Sequence, residues 1–553
     1  MADMFLAGDF PVRERKGKSA PQQTAARSAA LALGLWLGVV PALAAPYDVT
    51  EKSIAALDAD LAAGRVSAAE LVEAYEMRIA RLDPQLHSVI ALNPNALDEA
   101  RALDRERRTG HVRGPLHGIP ILVKDNIETL DPIPTTAGSL ALAANITHRD
   151  APVVARLRAA GAIILGKTNL SEWANIRSTR SISGWSAIGG LARNPYVLDR
   201  STCGSSAGSG AAVAASLAAA ALGTETNGSL VCPASFNGIV SIKPTVGLLS
   251  RTHIVPISHT QDTPCPMTRT VADTALLLAV MAASDPTDPA TAEADRRRAD
   301  YPALLADASL RGRRIGVILP PAGHPPSAVD RLLEHALDAM RRQGAVIVEI
   351  RDLAVPPKAS NEEEVVLKYE LKHDMGQYLQ SLPGNGPKTL ADLIAFDAAS
   401  PRELVLFDQD YFEMAEAEGD LTDPAYLAAH DDLLSRTRAL LDTTFTRYRV
   451  DALVRATDDP AFRIDAIKGD NESGSDSFLP AAAGYPHLTV PMGFVSGLPV
   501  GISFMGPAWS EARLLRLGFA FERATHARRA PTYIPSLESL PAMVAAMAPL
   551  PRK

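Results

Sequence analysis

Two serine-rich turns contain the side chains that are most able to do covalent chemistry. The first is Cys203-Gly-Ser-Ser-Ala-Gly-Ser-Gly210, which leads into a run of small residues, and the second is Gly223-Thr-Glu-Thr-Asn-Gly-Ser229. A nucleophilic serine needs an accessible hydroxyl, a base within hydrogen-bond reach, and N–H donors for the developing oxyanion. The tight turn Thr226-Asn227-Gly228 could present such N–H groups beside Ser229. Serine also suits turns that have no chemical role, so composition alone leaves both interpretations open.

The base that would activate such a serine is not an obvious histidine. The histidines nearest to the two turns, His117, His253 and His259, lie in no Gly-x-Ser-x-Gly context. Lys124 follows the apolar run Ile119-Pro-Ile-Leu-Val123, where loss of solvent should disfavour the ammonium and lower the pKa of the amine. A neutral amine can act as a general base. A lone lysine at a strand end is also commonly a surface charge, and this alternative stays open.

Neither a cofactor site nor a metal site is indicated by these motifs. The glycines could form a phosphate loop, but no Gly-Lys-Ser/Thr follows and the spacing matches neither nucleotide fingerprint. The three cysteines, Cys203, Cys232 and Cys265, lack metal-ligand spacing. We therefore predict an enzyme without cofactor or metal. The favoured interpretation of the cysteines is small buried apolar side chains, and a disulfide between two of them is the alternative.

The elements around these motifs indicate an α/β protein. Short apolar runs that are bounded by Gly or Pro predict buried strands, and periodic segments such as 152–160 and 329–343 predict helices. Ser67-Ala-Ala-Glu70 has capping-box spacing and predicts a helix. Residues 313–350 predict strand–helix–strand, whereas the long charged segment 360–445 predicts a helical layer over the sheet. The sequence has neither internal repeats nor low-complexity linkers, so we predict one domain over residues 45–553.

Composition excludes several classes of function. The chain has 553 residues, with 55 Lys and Arg against 63 Asp and Glu, so its formal net charge is −8. A content of 47% apolar and 21% charged residues is typical of a folded protein rather than a disordered one. A sequence pI near 5.9 argues against a nucleic-acid partner, because phosphate binding needs a concentrated basic surface.

The N-terminus predicts export. A basic stretch, the apolar run 28–40 and the small residues Ala42-Leu43-Ala44 have the order of a signal peptide that is cleaved after residue 44. An uncleaved N-terminal anchor is the alternative. No later segment has membrane length without a charge or a turn, so we expect a periplasmic or secreted protein with no stable membrane insertion after the signal is removed.

Ordered motifs along almost the whole chain resemble the amidase signature family. They are Gly118-Ile-Pro-Ile-Leu-Val-Lys-Asp-Asn126, Thr135-Thr-Ala-Gly-Ser139, Gly166-Lys-Thr-Asn-Leu-Ser-Glu172, Gly204-Ser-Ser-Ala-Gly-Ser209, Gly223-Thr-Glu-Thr-Asn-Gly-Ser229, Lys243-Pro-Thr-Val-Gly247 and Ala483-Gly-Tyr-Pro-His-Leu-Thr-Val-Pro-Met-Gly493. The resemblance implies one α/β domain with a mixed central β-sheet that helices cover on both sides.

The resemblance also implies a Ser–Ser–Lys triad for amide hydrolysis through an acyl-enzyme. Ser229 matches the family's nucleophile and Lys124 its base. Ser205 matches a serine on a cis peptide bond that passes protons between them. The backbone N–H groups of residues 226–228 would hold the oxyanion.

Several strings are similar to peptide amidases, which remove the C-terminal amide from peptides. They lie around Ser205, around Ser229 and at Ala508-Trp-Ser-Glu511. Residue 231, two positions after Ser229, is Val, where many members of the family have Arg. Departures are Asn227 where Asp or Gly is usual, Cys265 where Gly is usual, and Arg455-Ala-Thr457 where a Pro-Thr step is common. We therefore expect a peptide or small-molecule amide as substrate, with specificity set by the helical layer and by residues 455–475.

Other interpretations of the same motifs remain. The substrate could be an aryl acylamide, a small aliphatic amide or a carbamate. Amidotransferase subunits that act on charged tRNA share the motifs, but they need a cytoplasmic partner, which the export signal disfavours. A silent amide-binding protein on the same scaffold is the alternative from another class, and the intact set Lys124, Ser205 and Ser229 argues against it. The sequence leaves the oligomeric state open.

Overall fold

The computed structural model describes residues 47–320, 323, 325–471 and 476–549. The predicted signal peptide, 1–44, lies outside these residues. In the part of the chain that is described, no helix is both long enough and apolar enough to cross a bilayer.

The described residues form thirteen strands and seventeen α-helices. The strands are β1 (Val89–Leu92), β2 (Pro120–Lys124), β3 (Ile163–Thr168), β4 (Trp185–Ser186), β5 (Gly190–Leu191), β6 (Ala220–Glu225), β7 (Val240–Lys243), β8 (Thr263–Thr268), β9 (Arg314–Ile318), β10 (Val346–Ile350), β11 (Ala452–Ala456), β12 (His487–Val495) and β13 (Leu498–Met505). The helices are α1 (Ile54–Ala62), α2 (Ala68–Leu82), α3 (Ala96–Arg108), α4 (Pro152–Ala159), α5 (Ala207–Ala214), α6 (Val231–Phe236), α7 (Val271–Met281), α8 (Ala294–Arg297), α9 (Tyr301–Leu304), α10 (Ala328–Arg342), α11 (Ala359–Ser381), α12 (Leu390–Ala399), α13 (Asp410–Glu416), α14 (Pro424–Tyr448), α15 (Phe478–Ala483), α16 (Glu511–Thr525) and α17 (Pro541–Met547).

Eleven of these strands form one mixed sheet, as the family resemblance implied. Its strand order is β1-β3-β2-β6-β8-β7-β12-β13-β11-β9-β10, and β4 pairs separately with β5. Strand β2 is parallel to both β3 and β6, and β9 is parallel to β10 and β11. The β6–β8, β8–β7, β7–β12 and β12–β13 pairs are antiparallel. The predicted α/β class with helices flanking a mixed central sheet is confirmed.

Three neighbouring strands of the sheet begin with apolar runs and are completely buried. Strands β2, β3 and β6 are buried at every position, as expected of strands that are covered on both faces. The largest hydrophobic core joins Val123 and Leu222 to helix residues such as Leu71 and Leu278. A polar end residue such as Lys124 on β2 is therefore carried into the protein rather than out to solvent.

The local signals in the sequence set the starts of the helices. Ser67 caps α2 by accepting the Glu70 N–H, and the Glu70 carboxylate accepts the Ser67 N–H in return. Because this reciprocal pair satisfies two donors that the first turn leaves open, the capping box predicted the helix correctly. The predicted strand–helix–strand over 313–350 is also confirmed as β9, α10 and β10.

The predicted helical layer corresponds to α11–α14. Leu371 and Phe412 of this layer join a cluster with Trp173 and Val255, which belong to loops. The layer reaches the sheet through the C-terminal end of α14, where Leu441 clusters with strand residues. It therefore covers loops as well as the sheet. One of these loops adjoins the end of β2, because the Val255 N–H donates to the Asn126 carbonyl over 2.8 Å.

Candidate active site

Strand β2 ends at Lys124, and the Lys124 amine meets two hydroxyls that come from distant parts of the chain. Its Nζ lies 2.8 Å from Ser205 Oγ and 2.8 Å from Thr224 Oγ1. Asn126 Nδ2 also donates to Thr224 Oγ1, over 3.0 Å. The fold thus brings Lys124 and Ser205, two of the residues predicted from the sequence, into direct contact.

The surroundings of Lys124 favour its neutral form. The side chain is completely buried, and this burial lowers the pKa of the amine to about 7, although the Asp262 and Glu225 carboxylates oppose the change. No ion pair within 4 Å holds the ammonium in the described residues, so its charge is poorly compensated. A neutral amine beside a serine hydroxyl can accept a proton near pH 7.

The two serine-rich turns lie against each other. The Ser206 N–H donates to the Ser229 carbonyl over 3.0 Å, and the Ser206 hydroxyl donates to the Thr224 carbonyl over 3.0 Å. The Gly204–Ser205 peptide bond is cis, as the resemblance implied. Ser205 is fully buried, whereas Ser229 retains 8% of its exposure. The backbone thus places Ser205 and Ser229 on adjoining turns, and the Ser205 hydroxyl and the Lys124 amine are both buried.

The turn before Ser229 is held by a buried carboxylate. Glu225 accepts the N–H groups of Leu230 and Val231 over 2.9 and 3.0 Å. Burial raises the pKa of Glu225, and Lys243 and the N–H groups of Val231, Leu230 and Gly228 oppose this rise. The Gly228 N–H, one of the three predicted oxyanion donors, is thus directed at the Glu225 carboxylate. A substrate oxyanion would compete with this carboxylate for the Gly228 N–H. Gly228 has φ +81°, a conformation that favours glycine.

The side chains of the same turn are tied to three other elements. Thr226 Oγ1 donates to Asp262 over 2.6 Å. Asn227 Nδ2 donates to Glu363 of α11 over 2.8 Å, and Asn227 Oδ1 accepts from Ser477 Oγ over 2.6 Å. An amide can both donate to a carboxylate and accept from a hydroxyl, which an ionised Asp or a Gly cannot do. This gives a physical reason for Asn227, which departs from the family's usual Asp or Gly.

A disulfide joins the two turns, which corrects the favoured interpretation of the cysteines. Cys203 and Cys232 are bonded, and Cys265 is a buried free thiol. Cys203 stands two residues before Ser205 and Cys232 three residues after Ser229. Proximity in the fold, which is invisible in their 29-residue separation, decided the pairing. The interpretation as a small buried side chain holds for Cys265 alone.

The string at Ala508–Glu511 has a supporting position. The Glu511 carboxylate accepts the Thr245 N–H over 2.7 Å, and the Trp509 N–H donates to Thr245 Oγ1 over 2.8 Å. The residues therefore brace the Lys243-Pro-Thr segment that follows β7. These hydrogen bonds of Trp509 and Glu511 are thus with Thr245 and not with Lys124 or Ser205.

Sequence reasoning missed three residues that the structure places at this site. Thr224 and Asn126 lie inside the family motifs, but nothing in their type pointed to the Lys124 amine. Glu363 lies in a charged helix whose acidic run looks like a solvated face. Its burial to 8% exposure is the sign that distinguishes it from its neighbours.

A cavity of about 370 Å³ adjoins the site. Thr224 and Thr226 form part of one wall, and Asp374 and Tyr378 of α11 form part of another. Ser229 is not among the lining residues. Residues of the segment 251–264 and of helix α11 thus line a cavity next to the turn that precedes Ser229.

Comparison with known proteins places this geometry in a family. The family model described as Amidase matches residues 70–515. The chain belongs to this amidase family. A probable amidase of Arabidopsis thaliana is 38% identical over 506 residues, which cover 89% of this chain and 93% of the plant protein. Membership makes the chain an amide-hydrolysing enzyme and confirms the expected reaction class.

Among solved structures, two peptide amidases are similar to this chain over most of its length. The peptide amidase of Stenotrophomonas maltophilia is 48% identical, with a TM-score of 0.83, over 88% of this chain and 100% of that one. A peptide amidase bound to the competitive inhibitor chymostatin is equally identical, with a TM-score of 0.84. Among amidotransferases, one subunit of the glutamyl-tRNA(Gln) enzyme of Synechococcus sp. is 36% identical over 88% of this chain and 94% of its own length.

Proposed function

We propose that this amidase hydrolyses its substrate through Ser229 as nucleophile, Ser205 as proton relay and Lys124 as general base. The contact that carries the proposal is the 2.8 Å distance between Lys124 Nζ and Ser205 Oγ. Both groups are fully buried, and the pKa of Lys124 is lowered to about 7 by that burial. A base of this kind is half neutral near pH 7, where general-base catalysis is most effective.

In acylation a proton moves through the relay to Lys124 and back, while a C–O bond replaces the C–N bond. Ser229 Oγ attacks the amide carbon while its proton passes to Ser205 Oγ and the Ser205 proton passes to Lys124. The carbonyl oxygen becomes an oxyanion, which backbone N–H groups of residues 226–228 stabilise. The protons return along the same relay to the leaving nitrogen, the C–N bond breaks, and ammonia or an amine departs from the ester on Ser229.

Deacylation repeats the relay with water as nucleophile. Water loses a proton through Ser205 to Lys124 and attacks the ester carbon. The second tetrahedral intermediate collapses, Ser229 recovers its proton, and the carboxylic acid leaves. The enzyme returns to its starting protonation state without a cofactor or metal in any step.

The proposed substrate is the C-terminal amide of a peptide. This rests on the 48% identity with peptide amidases over 88% of the chain and on the strings around Ser205 and Ser229. Aryl acylamides, small aliphatic amides and carbamates are the alternatives. We also propose that residues 1–44 direct export and are then removed, which would bring the enzyme to peptides outside the cell.

The deciding experiment compares Ser229→Ala with a matched serine variant. Ser435→Ala lies on the exposed side of α14 and should retain full activity. An amidated peptide should gain about one dalton at its C-terminus, from the exchange of NH₂ for OH, with the parent and with Ser435→Ala. Ser229→Ala should show no turnover, and internal peptide bonds should stay uncut.

Two results would contradict parts of the proposal separately. Activity of Ser229→Ala within tenfold of the parent, a barrier change below about 1.4 kcal/mol, would remove Ser229 as nucleophile. Internal fragments, or rapid cleavage of an anilide with no reaction on the peptide amide, would remove the substrate class. N-terminal sequencing of the exported protein tests cleavage after residue 44.

A further inference from the structure

Two histidines and an aspartate converge at the cavity beside the site. One ligand-type atom from each of His259, His373 and Asp374 lies within 4.8 Å of the others. The Nδ1 atoms of His259 and His373 are each 2.9 Å from an oxygen of the Asp374 carboxylate. Residue 259 lies in the loop after β7, and residues 373 and 374 lie on α11. Because His259 and Asp374 are 115 residues apart in the chain, no local pattern pointed to this group.

The outer nitrogens of both rings have polar partners of their own. His259 Nε2 is 3.3 Å from the carboxylate of Glu370, which is fully buried. His373 Nε2 is 3.1 Å from the amide nitrogen of Gln377, and a 180° turn of that amide would present its oxygen to the Nε2–H that metal binding at Nδ1 requires. Histidines that bind metals almost always have a carboxylate, carbonyl or water at the other ring nitrogen, which fixes the orientation of the ring. Each histidine thus has its Nδ1 directed inward and its Nε2 anchored from behind.

Exposure leaves the cluster accessible from solvent. The side chains of His259 and His373 are 42% and 41% exposed, whereas Asp374 is 12% exposed. His259 and Asp374 also line the 370 Å³ cavity. Three ligands with an open approach allow water or a solute to complete a four-coordinate shell.

The positive charge nearest to this cluster is already compensated. The Arg251 guanidinium donates to the His259 carbonyl, but it also pairs with Asp288 at 2.6 Å. Glu370 and Asp374 add two carboxylates to the two imidazoles. The electrostatic balance at the inward-facing atoms therefore favours a bound cation.

We propose that His259, His373 and Asp374 form a binding site for a divalent transition-metal ion of the Zn²⁺ type. Two imidazole nitrogens and one carboxylate oxygen suit Zn²⁺, Co²⁺ or Ni²⁺ better than Mg²⁺ or Ca²⁺, which prefer oxygen ligands. The ion would lie outside the Ser–Lys cluster and would take no part in the chemical step. It would tie loop 251–264, which holds Thr226 through Asp262, to α11, which holds Asn227 through Glu363.

Cobalt binding to the whole chain tests the site without reference to activity. After chelator treatment and dialysis, the parent is titrated with Co²⁺, and visible absorption measures the bound ion. His259→Gln and Asp374→Asn each remove one ligand, and His430→Gln is the control, because His430 pairs with Asp431 on the surface of α14. Circular dichroism checks that each variant is folded.

We expect about one equivalent of Co²⁺ in the parent and in His430→Gln. Both cluster variants should bind at least tenfold more weakly, and Zn²⁺ but not Mg²⁺ should displace Co²⁺. Added Zn²⁺ should also raise the Tm of the parent and leave that of Asp374→Asn unchanged, because the ion binds only the folded state. Equal binding in the parent and the cluster variants, or no saturable binding, would overturn the proposal.

Discussion

At the scale of single residues, the proposed role of Lys124 as a base depends on the burial of its side chain. The amine has two hydroxyls as neighbours, and burial lowers its pKa to about 7. An ammonium in this place would have hydrogen-bond partners but little compensating charge. The same side chain at a solvated strand end would be protonated at neutral pH and could not accept a proton.

Lys124→Arg should be almost as damaging as Lys124→Ala. A guanidinium stays protonated, so the variant keeps the positive charge and loses the base. We expect kcat to fall by about 10²–10⁴-fold in both variants, the usual contribution of a general base. Lys358→Arg, at an exposed residue before α11, should behave like the parent. An active Lys124→Arg enzyme would mean that position 124 acts as a fixed cation.

Glu363 is the second residue whose effect can be predicted from its contacts. It accepts from Asn227 Nδ2 and Gln261 Nε2 over 2.8 and 2.9 Å, so it positions the turn before Ser229 without contacting the proposed nucleophile. Glu363→Ala would remove the carboxylate that accepts from Asn227 Nδ2. It would leave Gln261 Nε2 only the Thr226 carbonyl at 3.3 Å, and an unpaired buried donor costs about 1–3 kcal/mol. We expect a fall of roughly tenfold in kcat, corresponding to about 1.4 kcal/mol, with a smaller change in KM.

Its matched control is the next residue on the helix. Glu364 is exposed, and Glu364→Ala should leave kcat unchanged. Glu363→Gln keeps one accepting oxygen and should recover part of the activity. Equal kcat values for the two alanine variants would show that Asn227 is positioned without Glu363.

At the scale of elements, the site depends on two loops that a disulfide joins. Cys203 precedes the segment that leads into α5, and Cys232 lies in α6, directly after Ser229. The hydrogen bond from the Ser206 N–H to the Ser229 carbonyl joins the same two loops. The covalent bond therefore restrains the two turns that carry Ser205 and Ser229, the serines of the proposed relay.

Replacing Cys203 and Cys232 together by alanine should lower both stability and kcat. Closing a loop of this length stabilises a fold by about 3–4 kcal/mol on the chain-entropy account. Thermal unfolding and kcat measure the two effects. Dithiothreitol should inactivate the parent and Cys265→Ala alike, because both keep the disulfide. If dithiothreitol inactivates the double variant as fast as it inactivates the parent, the disulfide is not the sensitive group.

At the scale of the whole molecule, the fold shifts the pKa values of groups at and near the proposed site. Burial of β2 and its neighbours lowers the pKa of Lys124 to about 7 and raises that of Asp262 to about 6. Burial also raises the pKa of Asp476, near Arg455, to about 7. A lysine whose pKa is lowered is protonated below that pH, so the base is lost as the pH falls.

We therefore expect kcat/KM to rise about tenfold per pH unit below pH 7 and to level off above it, since the neutral fraction of a single base follows its pKa. A profile of peptide-amide hydrolysis between pH 5 and 9 measures this, with circular dichroism to confirm the fold at each pH. Asp476→Asn removes one carboxyl whose pKa is also raised to about 7 and should keep the rise. A profile that is flat, or that falls with increasing pH, would exclude a neutral lysine as base.

The sequence by itself determined much of the local structure. Capping at Ser67, the apolar run before Lys124 and the small residues after Ser205 depend on neighbours in the chain, so their effects could be predicted. The proposed triad of Lys124, Ser205 and Ser229 came from the resemblance of the motifs to the amidase signature family.

Only the tertiary structure decided which distant groups meet. Thr224 reaches Lys124 across 100 residues, Glu363 reaches Asn227 across 136, and Cys203 pairs with Cys232 rather than Cys265. These contacts follow from strand order and from the packing of α11 on loops, which no local pattern encodes. The depth of burial that lowers the pKa of Lys124 is likewise a property of the assembled sheet and not of its strand.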